Sequence, residues 1–254
     1  MRESLKIGNI TIYYYSILIL LGVLLAYYLS KKEAEKNGLG KKYIDDLLFY
    51  LVIFGILGAR LYYVIFNFSY YKNNILSIFK IWEGGIAIYG AVIAGIITIY
   101  YYSKKKKKDF LLTLDTIAPG LILAQAIGRW GNFFNHEAYG RVVSLSFLNK
   151  LHIPEFIINE MFIDGAYRHP TFLYESLWCL LGFIILLIIR NKTRDKYKIV
   201  TYSYFIYYGI GRLFIEGLRT DSLYLFNFRI SQVVSIILIV IGIIGIIKER
   251  NKRV

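Results

Sequence analysis

Stretches of about 20 apolar residues recur along the whole sequence, and they leave few ways for it to fold. A helix rises about 1.5 Å per residue, so each stretch can cross a hydrocarbon layer about 30 Å thick. Inside such a layer, backbone N–H and C=O groups must bond one another, which favours helices over open strands. Seven spans are expected, at residues 10–29, 44–66, 85–102, 111–128, 172–189, 199–218 and 230–247. The expected class is an all-α polytopic membrane protein with seven transmembrane helices, one integral membrane domain over residues 1–254. Composition agrees: 57% of residues are hydrophobic and the mean hydropathy is +0.49. The first run ends in YYLSKKEAEKNG, without the small-residue cleavage site of a signal peptide, and is read as a retained span.

The net charge is +14, from 31 basic and 17 acidic residues. On a soluble chain this balance would suggest nucleic acid, but no basic–aromatic module of that kind is present, and no nucleic-acid partner is expected. The basic residues cluster instead in alternate loops. Lys31, Lys32, Lys36, Lys41 and Lys42 follow the first run, and Lys104 to Lys108 follow the third. Arg190, Lys192, Arg194, Lys196 and Lys198 follow the fifth, and Lys248, Arg250, Lys252 and Arg253 follow the last. By the positive-inside rule these loops are cytoplasmic. The N-terminus then lies outside and the C-terminus in the cytoplasm. The sizeable segment 129–170 becomes a small outer cap, holding all three histidines, His136, His152 and His169.

Polar residues inside apolar runs cost a few kcal/mol each and mark function by default. Arg60 lies in the second run, Asp115 and Pro119 in the fourth, and Glu175 near the start of the fifth. The sixth ends YYGIGRLFIEGLRTD. At about 100° per residue, Tyr208, Arg212, Glu216 and Arg219 fall within about 80° of one another on one helix face. One reading is a pairing of Arg212 with Glu216 at i, i+4, with long side chains reaching the interface. The other is a stripe that lines a substrate site. The fourth run leads into GRWGNFFNHEAYG, residues 128–140, which places Arg129, Asn132, Asn135 and Glu137 at the same membrane face. Guanidinium groups bind phosphate oxygens bidentately, and Gly128, Gly131 and Gly140 permit close backbone approach. The pattern suits a phospholipid headgroup. An anion or lipid transporter, or a lipid-regulated scaffold, could use the same residues.

Other chemistries find less support. There is no H-E-x-x-H, G-x-S-x-G or Walker sequence, and the histidines are too scattered to argue for a metal. Neither a metal nor a cofactor is expected. Cys179, the one cysteine, lies in an apolar run and reads as a small packing residue.

GRWGNFFNHEAYG resembles the signature of the bacterial prolipoprotein diacylglyceryl transferases, G-R-x-G-N-F-x-N-x-E-x-x-G, through Gly128, Arg129, Gly131, Asn132, Phe133, Asn135, Glu137 and Gly140. GGIAIYGAVIAG (84–95) is similar to the family's third-span motif, RHPTFLYES (168–176) to its H-P-x-x-L-Y-E motif, and YYGIGRLFIEGLR (207–219) to its last polar motif. The resemblance implies transfer of the diacylglyceryl group of phosphatidylglycerol to the lipobox cysteine thiol of a preprolipoprotein. A thioether forms and glycerol phosphate is released. It further implies a multi-pass protein of the bacterial cytoplasmic membrane, in contact with membrane lipid, with its active site toward the outer face and no cofactor.

On that reading Arg129 and Arg212 bind the phosphate and stabilise the charge that develops on it, Asn132 and Glu137 orient lipid and arginines, and Tyr208 donates to a phosphate or glycerol oxygen. Arg60, Tyr89, Asn135, Gly140, His169, Glu216 and Arg219 complete the expected substrate-binding set, with Asp115 and Glu175 as partners of the arginines. Tyr89 stands where some relatives carry a histidine regarded as a possible base. A tyrosine with an ordinary pKa of about 10 is a poor base at neutral pH, so Tyr89 is expected to hydrogen-bond or pack, with no dedicated histidine base.

Overall fold

The structure is a computed structural model that describes residues 4–8, 10–193 and 198–252. Arg194, Lys196 and Arg253, counted above among the loop cations, lie outside the described residues. A hairpin of β1 (Ser4–Ile7) and β2 (Ile10–Tyr13) leads into α1 (Tyr14–Lys36) and α2 (Lys41–Phe66). The short α3 (Phe68–Tyr71) and two single turns of 3-10 helix precede α4 (Ile88–Lys105). Next come α5 (Phe110–Phe134), the short α6 (Leu145–Lys150) and α7 (Glu155–Glu160), and a hairpin of β3 (Phe162–Ile163) and β4 (Ala166–Tyr167). The chain ends with α8 (Thr171–Thr193), α9 (Val200–Glu216), a hairpin of β5 (Tyr224–Leu225) and β6 (Phe228–Arg229), and α10 (Ile230–Asn251).

Every expected span overlaps a long helix, although residues 10–13 of the first form β2 and α1 runs on from Tyr14 to Lys36. Five of them, α1, α2, α5, α8 and α10, are long and apolar enough to cross a membrane by length and composition. The two others are weaker as spans for visible reasons: α4 has 18 residues and ends in Lys104 and Lys105, while α9 has 17 and carries Arg212 and Glu216. The protein is all-helical apart from short hairpins, as a multi-pass membrane protein is. The fourth helix differs from expectation at its end. α5 continues past residue 128 to Phe134, so Arg129 and Asn132 belong to its last two turns, and the segment between membrane helices begins at Asn135. The helix stops where His136 and Ala138 take positive φ, 50° and 59°.

The chain forms two compact units, residues 1–29 with 117–254, and residues 30–116. In the first, small residues bring α1 and α5 together. A Cβ on Gly120 would lie 2.9 Å from the Ala26 carbonyl oxygen, and one on Gly22 would lie 3.2 Å from Ala124. Close backbone approach through small residues four apart is how helices gain packing energy in lipid. Ala118, Ile122 and Ala126 of α5 then form a core with Cys179 and Leu186 of α8 and Val200 and Tyr204 of α9. A second core joins Phe133 and Phe172 to Leu148, Ile157 and Ile158 of the cap helices. It holds the cap over the ends of α5 and α8.

In the second unit α2 and α4 meet at glycines, Gly58 against Gly90, each too close to the other's carbonyl to carry a side chain. Hydroxyls tie its helix ends: the Tyr43 hydroxyl lies 2.8 Å from Ser103 Oγ and 3.0 Å from Thr113 Oγ1. At the other end of α2, Arg60 is buried and gives all five of its N–H groups to backbone oxygens. Nε bonds Ile78 at 2.7 Å, Nη1 bonds Gly84 and Gly85 at 2.7 and 2.8 Å, and Nη2 bonds Ser77 and Lys80 at 2.7 and 3.4 Å. The guanidinium also lies 5.2 Å from the Tyr71 ring. Arg60 thereby fixes the course of residues 77–85.

Candidate active site

Three polar sequences far apart in the chain converge in the first unit. Arg129 comes from the last two turns of α5, Glu175 from the start of α8, and Arg212 and Glu216 from the last two turns of α9. The Glu175 carboxylate joins them: one oxygen takes Arg129 Nε and the other takes Arg212 Nη1. Arg212 Nη2 lies 2.7 Å from Glu216 Oε2, so the i, i+4 pairing forms as well. A buried carboxylate shared between two half-buried guanidinium groups fixes both, because leaving that carboxylate unpaired is costly.

Beyond α9 the cluster continues. The helix ends at Glu216, and Gly217 begins the turn that carries Arg219. Arg219 binds Asp221 with both Nε and Nη2, at 2.9 and 2.7 Å, and lies 3.9 Å from Glu216. Partial burial acts to raise the Asp221 carboxyl, but the hydrogen bond and charge of Arg219 outweigh it and hold Asp221 below its ordinary value. Three guanidinium groups thus face three carboxylates.

The α5 end adds an amide relay. Arg129 Nη1 lies 3.4 Å from Asn132 Oδ1, and Asn132 Nδ2 donates to Glu137 Oε1 at 2.9 Å. Asn135 extends the helix end through its N–H to the Gly131 oxygen, 3.1 Å. Gly140 is where three segments meet. It pairs with Arg219 in a β-bridge, its N–H bonds the His169 oxygen at 3.0 Å, and a Cβ there would lie 2.6 Å from His169 Cβ. Only glycine leaves room. The His169 ring packs 5.1 Å from Phe147 and 3.2 Å from the Tyr174 hydroxyl, and burial pushes its pKa below the ordinary value. His136 is paired with Glu160 at 2.9 Å, elsewhere in the cap. Among the described residues no group of three His, Cys, Asp or Glu side chains gathers as a metal site would need.

Most of the expected site residues therefore meet: Arg129, Asn132, Glu137, Gly140, Arg212, Glu216 and Arg219, with Tyr208 beside Arg129. Arg60 and Tyr89 lie in the other unit. There Arg60 is committed to carbonyls, and Tyr89 is half-buried with its ring 6.4 Å from Tyr62. Asp115 is buried in that unit too. Two contributors were not foreseen, Asp221 on Arg219 and Tyr15 on Gly131. Tyr15, at the start of α1, lies on Gly131, where a Cβ would approach its ring to 2.4 Å, and it is close enough to feel both Arg129 and Glu137. Among 24 tyrosines nothing in the sequence distinguishes it.

A crevice of about 10 Å³ opens beside the cluster, lined by Glu175, Trp178, Cys179, Tyr208, Gly211, Arg212 and Ile215. That is room for about one water and none for a headgroup. A phosphate must therefore displace side chains or approach the arginines from another side. The Cys179 thiol is buried at this crevice.

The description of the prolipoprotein diacylglyceryl transferase family matches residues 2–248 of this chain. The chain belongs to that family. Proteins named phosphatidylglycerol–prolipoprotein diacylglyceryl transferase are close to it over nearly their whole length. The protein of Listeria innocua is 52% identical over 249 residues, covering 98% of this chain and 90% of the relative. That of Staphylococcus carnosus is 50% identical over 250 residues, with the same coverage. Membership of the diacylglyceryl transferase family places the convergent arginines in an enzyme and does not favour the transporter alternative.

Proposed function

We propose that this chain transfers the diacylglyceryl group of phosphatidylglycerol to a cysteine thiol of a prolipoprotein, and that the Arg129–Glu175–Arg212 bridge is the centre of its active site. The observation that carries the reading is that single bridge. It unites one residue from each of three sequence motifs that the family resemblance singles out. In the reaction the thiol sulfur forms a bond to the glycerol carbon that bears the phosphate ester, and the C–O bond to phosphate breaks. Glycerol phosphate leaves with the bonding pair, and the proton lost by the thiol balances the charge it carries away. The two guanidinium groups stabilise that growing charge, an effect that accelerates the reaction to the extent that it is stronger in the transition state. Asn132, itself held by Glu137, positions Arg129, and Arg219 with Asp221 extends the cluster beyond Glu216.

The same reading assigns seven spans, with α4 and α9 completing the five more apolar helices, and places the basic loops in the cytoplasm. The arginine cluster and the cap then lie at the outer face of a bacterial cytoplasmic membrane, where a lipobox cysteine would be presented. Cys179 is no part of the chemistry, because the thiol that reacts belongs to the substrate.

The test is glycerol phosphate release by purified protein given phosphatidylglycerol and a lipobox peptide. Release that depends on peptide, is lost in Arg129→Ala and persists in Cys179→Ala is the expected result. Absence of release from folded, lipid-bound protein would overturn the assignment.

A further inference from the structure

Three residues along α8 from Glu175, Trp178 makes a reciprocal contact with Tyr207 of α9. The indole N–H donates to the Tyr207 carbonyl oxygen at 3.1 Å, and the Tyr207 hydroxyl donates to the Trp178 carbonyl oxygen at 2.9 Å. The two rings stack with centroids 4.6 Å apart and planes 20° from parallel. Each ring also sits on a glycine of the opposite helix. A Cβ on Gly211 would lie 2.1 Å from the indole nitrogen, and one on Gly182 would lie 2.4 Å from the Tyr207 ring. Trp178 and Gly182 are four apart on α8, and Tyr207 and Gly211 are four apart on α9, so the two pairs interlock as matching knobs and gaps.

This interlock admits one register. A slip by one residue is about 1.5 Å of helix rise, which would drive a ring into backbone and part both hydrogen bonds. Glu175 and Arg212 lie just beyond it on the same two helices, and their pairing depends on that register. A misplacement of about 1 Å at a reacting centre costs on the order of 100-fold in rate.

We propose that Trp178 and Tyr207 are positioning residues for the transfer reaction, setting the α8–α9 register that lets Glu175 hold Arg129 and Arg212 together. The proposal rests on the transferase reading above. It gives a task to two aromatic residues outside the set of charged groups that the transferase reading uses.

A double-mutant cycle tests it, using the full-length protein in phosphatidylglycerol-containing nanodiscs with a lipobox peptide. Tyr207→Phe keeps the ring and removes one oxygen, and is expected to lower kcat about fivefold to tenfold while the peptide KM stays within about twofold. Glu175→Gln is expected to lower kcat by roughly 100-fold. The decisive arm is the pair: if Tyr207 acts through the Glu175 bridge, the double variant is no slower than Glu175→Gln by more than about twofold. Losses that multiply, or a Tyr207→Phe enzyme with wild-type kcat, would overturn the proposal. Should Tyr207→Phe not accumulate as folded protein, Trp178→Phe carries the same cycle, with the same criteria. A failure of the transferase reading shows differently, as no peptide-dependent release by the wild type at all.

Discussion

Arg60, buried, and Arg129, half-buried, are guanidinium groups in helices of the same membrane protein, and their surroundings are opposite in kind. Arg60 is ringed by backbone carbonyls, which consume all five of its N–H groups, and no carboxylate is among those partners. Arg129 shares the Glu175 carboxylate with Arg212, and Glu175 engages only one nitrogen of each. A carbonyl cage holds a loop and has nothing left to offer a ligand. A shared carboxylate fixes two cations near each other while leaving donors that an incoming phosphate can use. The comparison separates an arginine whose donors the backbone consumes from the arginines on which the proposed mechanism draws.

The comparison can be broken most directly at Arg212. Arg212→Ala is expected to reduce kcat by roughly 100- to 1000-fold, with the protein still folded, as loss of one donor to developing charge does elsewhere. Initial-rate measurements beside a thermal melt check it, and near-normal turnover would erase the distinction. Arg60→Lys is expected to do the reverse. Lysine has three donors for five acceptors, so unsatisfied carbonyls should cost about 2–4 kcal/mol of stability. Turnover per folded molecule should stay within about threefold of wild type, and a large loss of turnover without loss of stability would return Arg60 to the active set.

Gly140→Ala sharpens the same contrast at the edge of the cluster. The added carbon would press on His169 Cβ and the Leu218 oxygen, costing about 1–3 kcal/mol, and should lower both the melting temperature and turnover because Arg219 moves with it. The smallest expected effect is a pH dependence. Burial holds the His169 pKa below 6.5, so its neutral form is favoured in the fold. Its contribution to stability is present above the unfolded value, about 6.5, and is lost as pH falls from there through the folded value. Melts between pH 7.5 and 5.5 should fall less steeply for His169→Gln than for wild type.

Much of this arrangement was legible beforehand, for identifiable reasons. Apolar runs in lipid have helix as their main outcome, so the positions of the long helices followed directly. Polar residues inside those runs or at their ends are conspicuous, which is why Arg212 and Glu216, and Arg129 and Asn132 just past the fourth run, stood out. What escaped is whatever has no side-chain signature. The Arg60 cage is made of backbone oxygens, invisible in residue types, so Arg60 looked like one more functional arginine. The α5 end was placed too early because GRWGNFF reads as a loop by its glycines, although one of them, Gly131, serves to admit the Tyr15 ring. Treating residues 208–219 as one helix put Arg219 on the Arg212 face, yet Gly217 ends the helix and a turn delivers Arg219. Trp178 and Tyr207 were hidden in a sequence where 17% of residues are aromatic.

The bridge at Glu175 has a bearing on biosynthesis. Its three members lie far apart in the chain and are made in the order Arg129, Glu175, Arg212. When α5 and α8 are in place but α9 is not, Arg129 and Glu175 can already satisfy each other, one cation with one anion. The arrival of α9 brings the second cation together with its own counter-charge, Glu216. At neither stage must this pairing leave a lone charge facing lipid, so a nascent chain can build the centre stepwise and becomes competent only when its sixth long helix has been laid in.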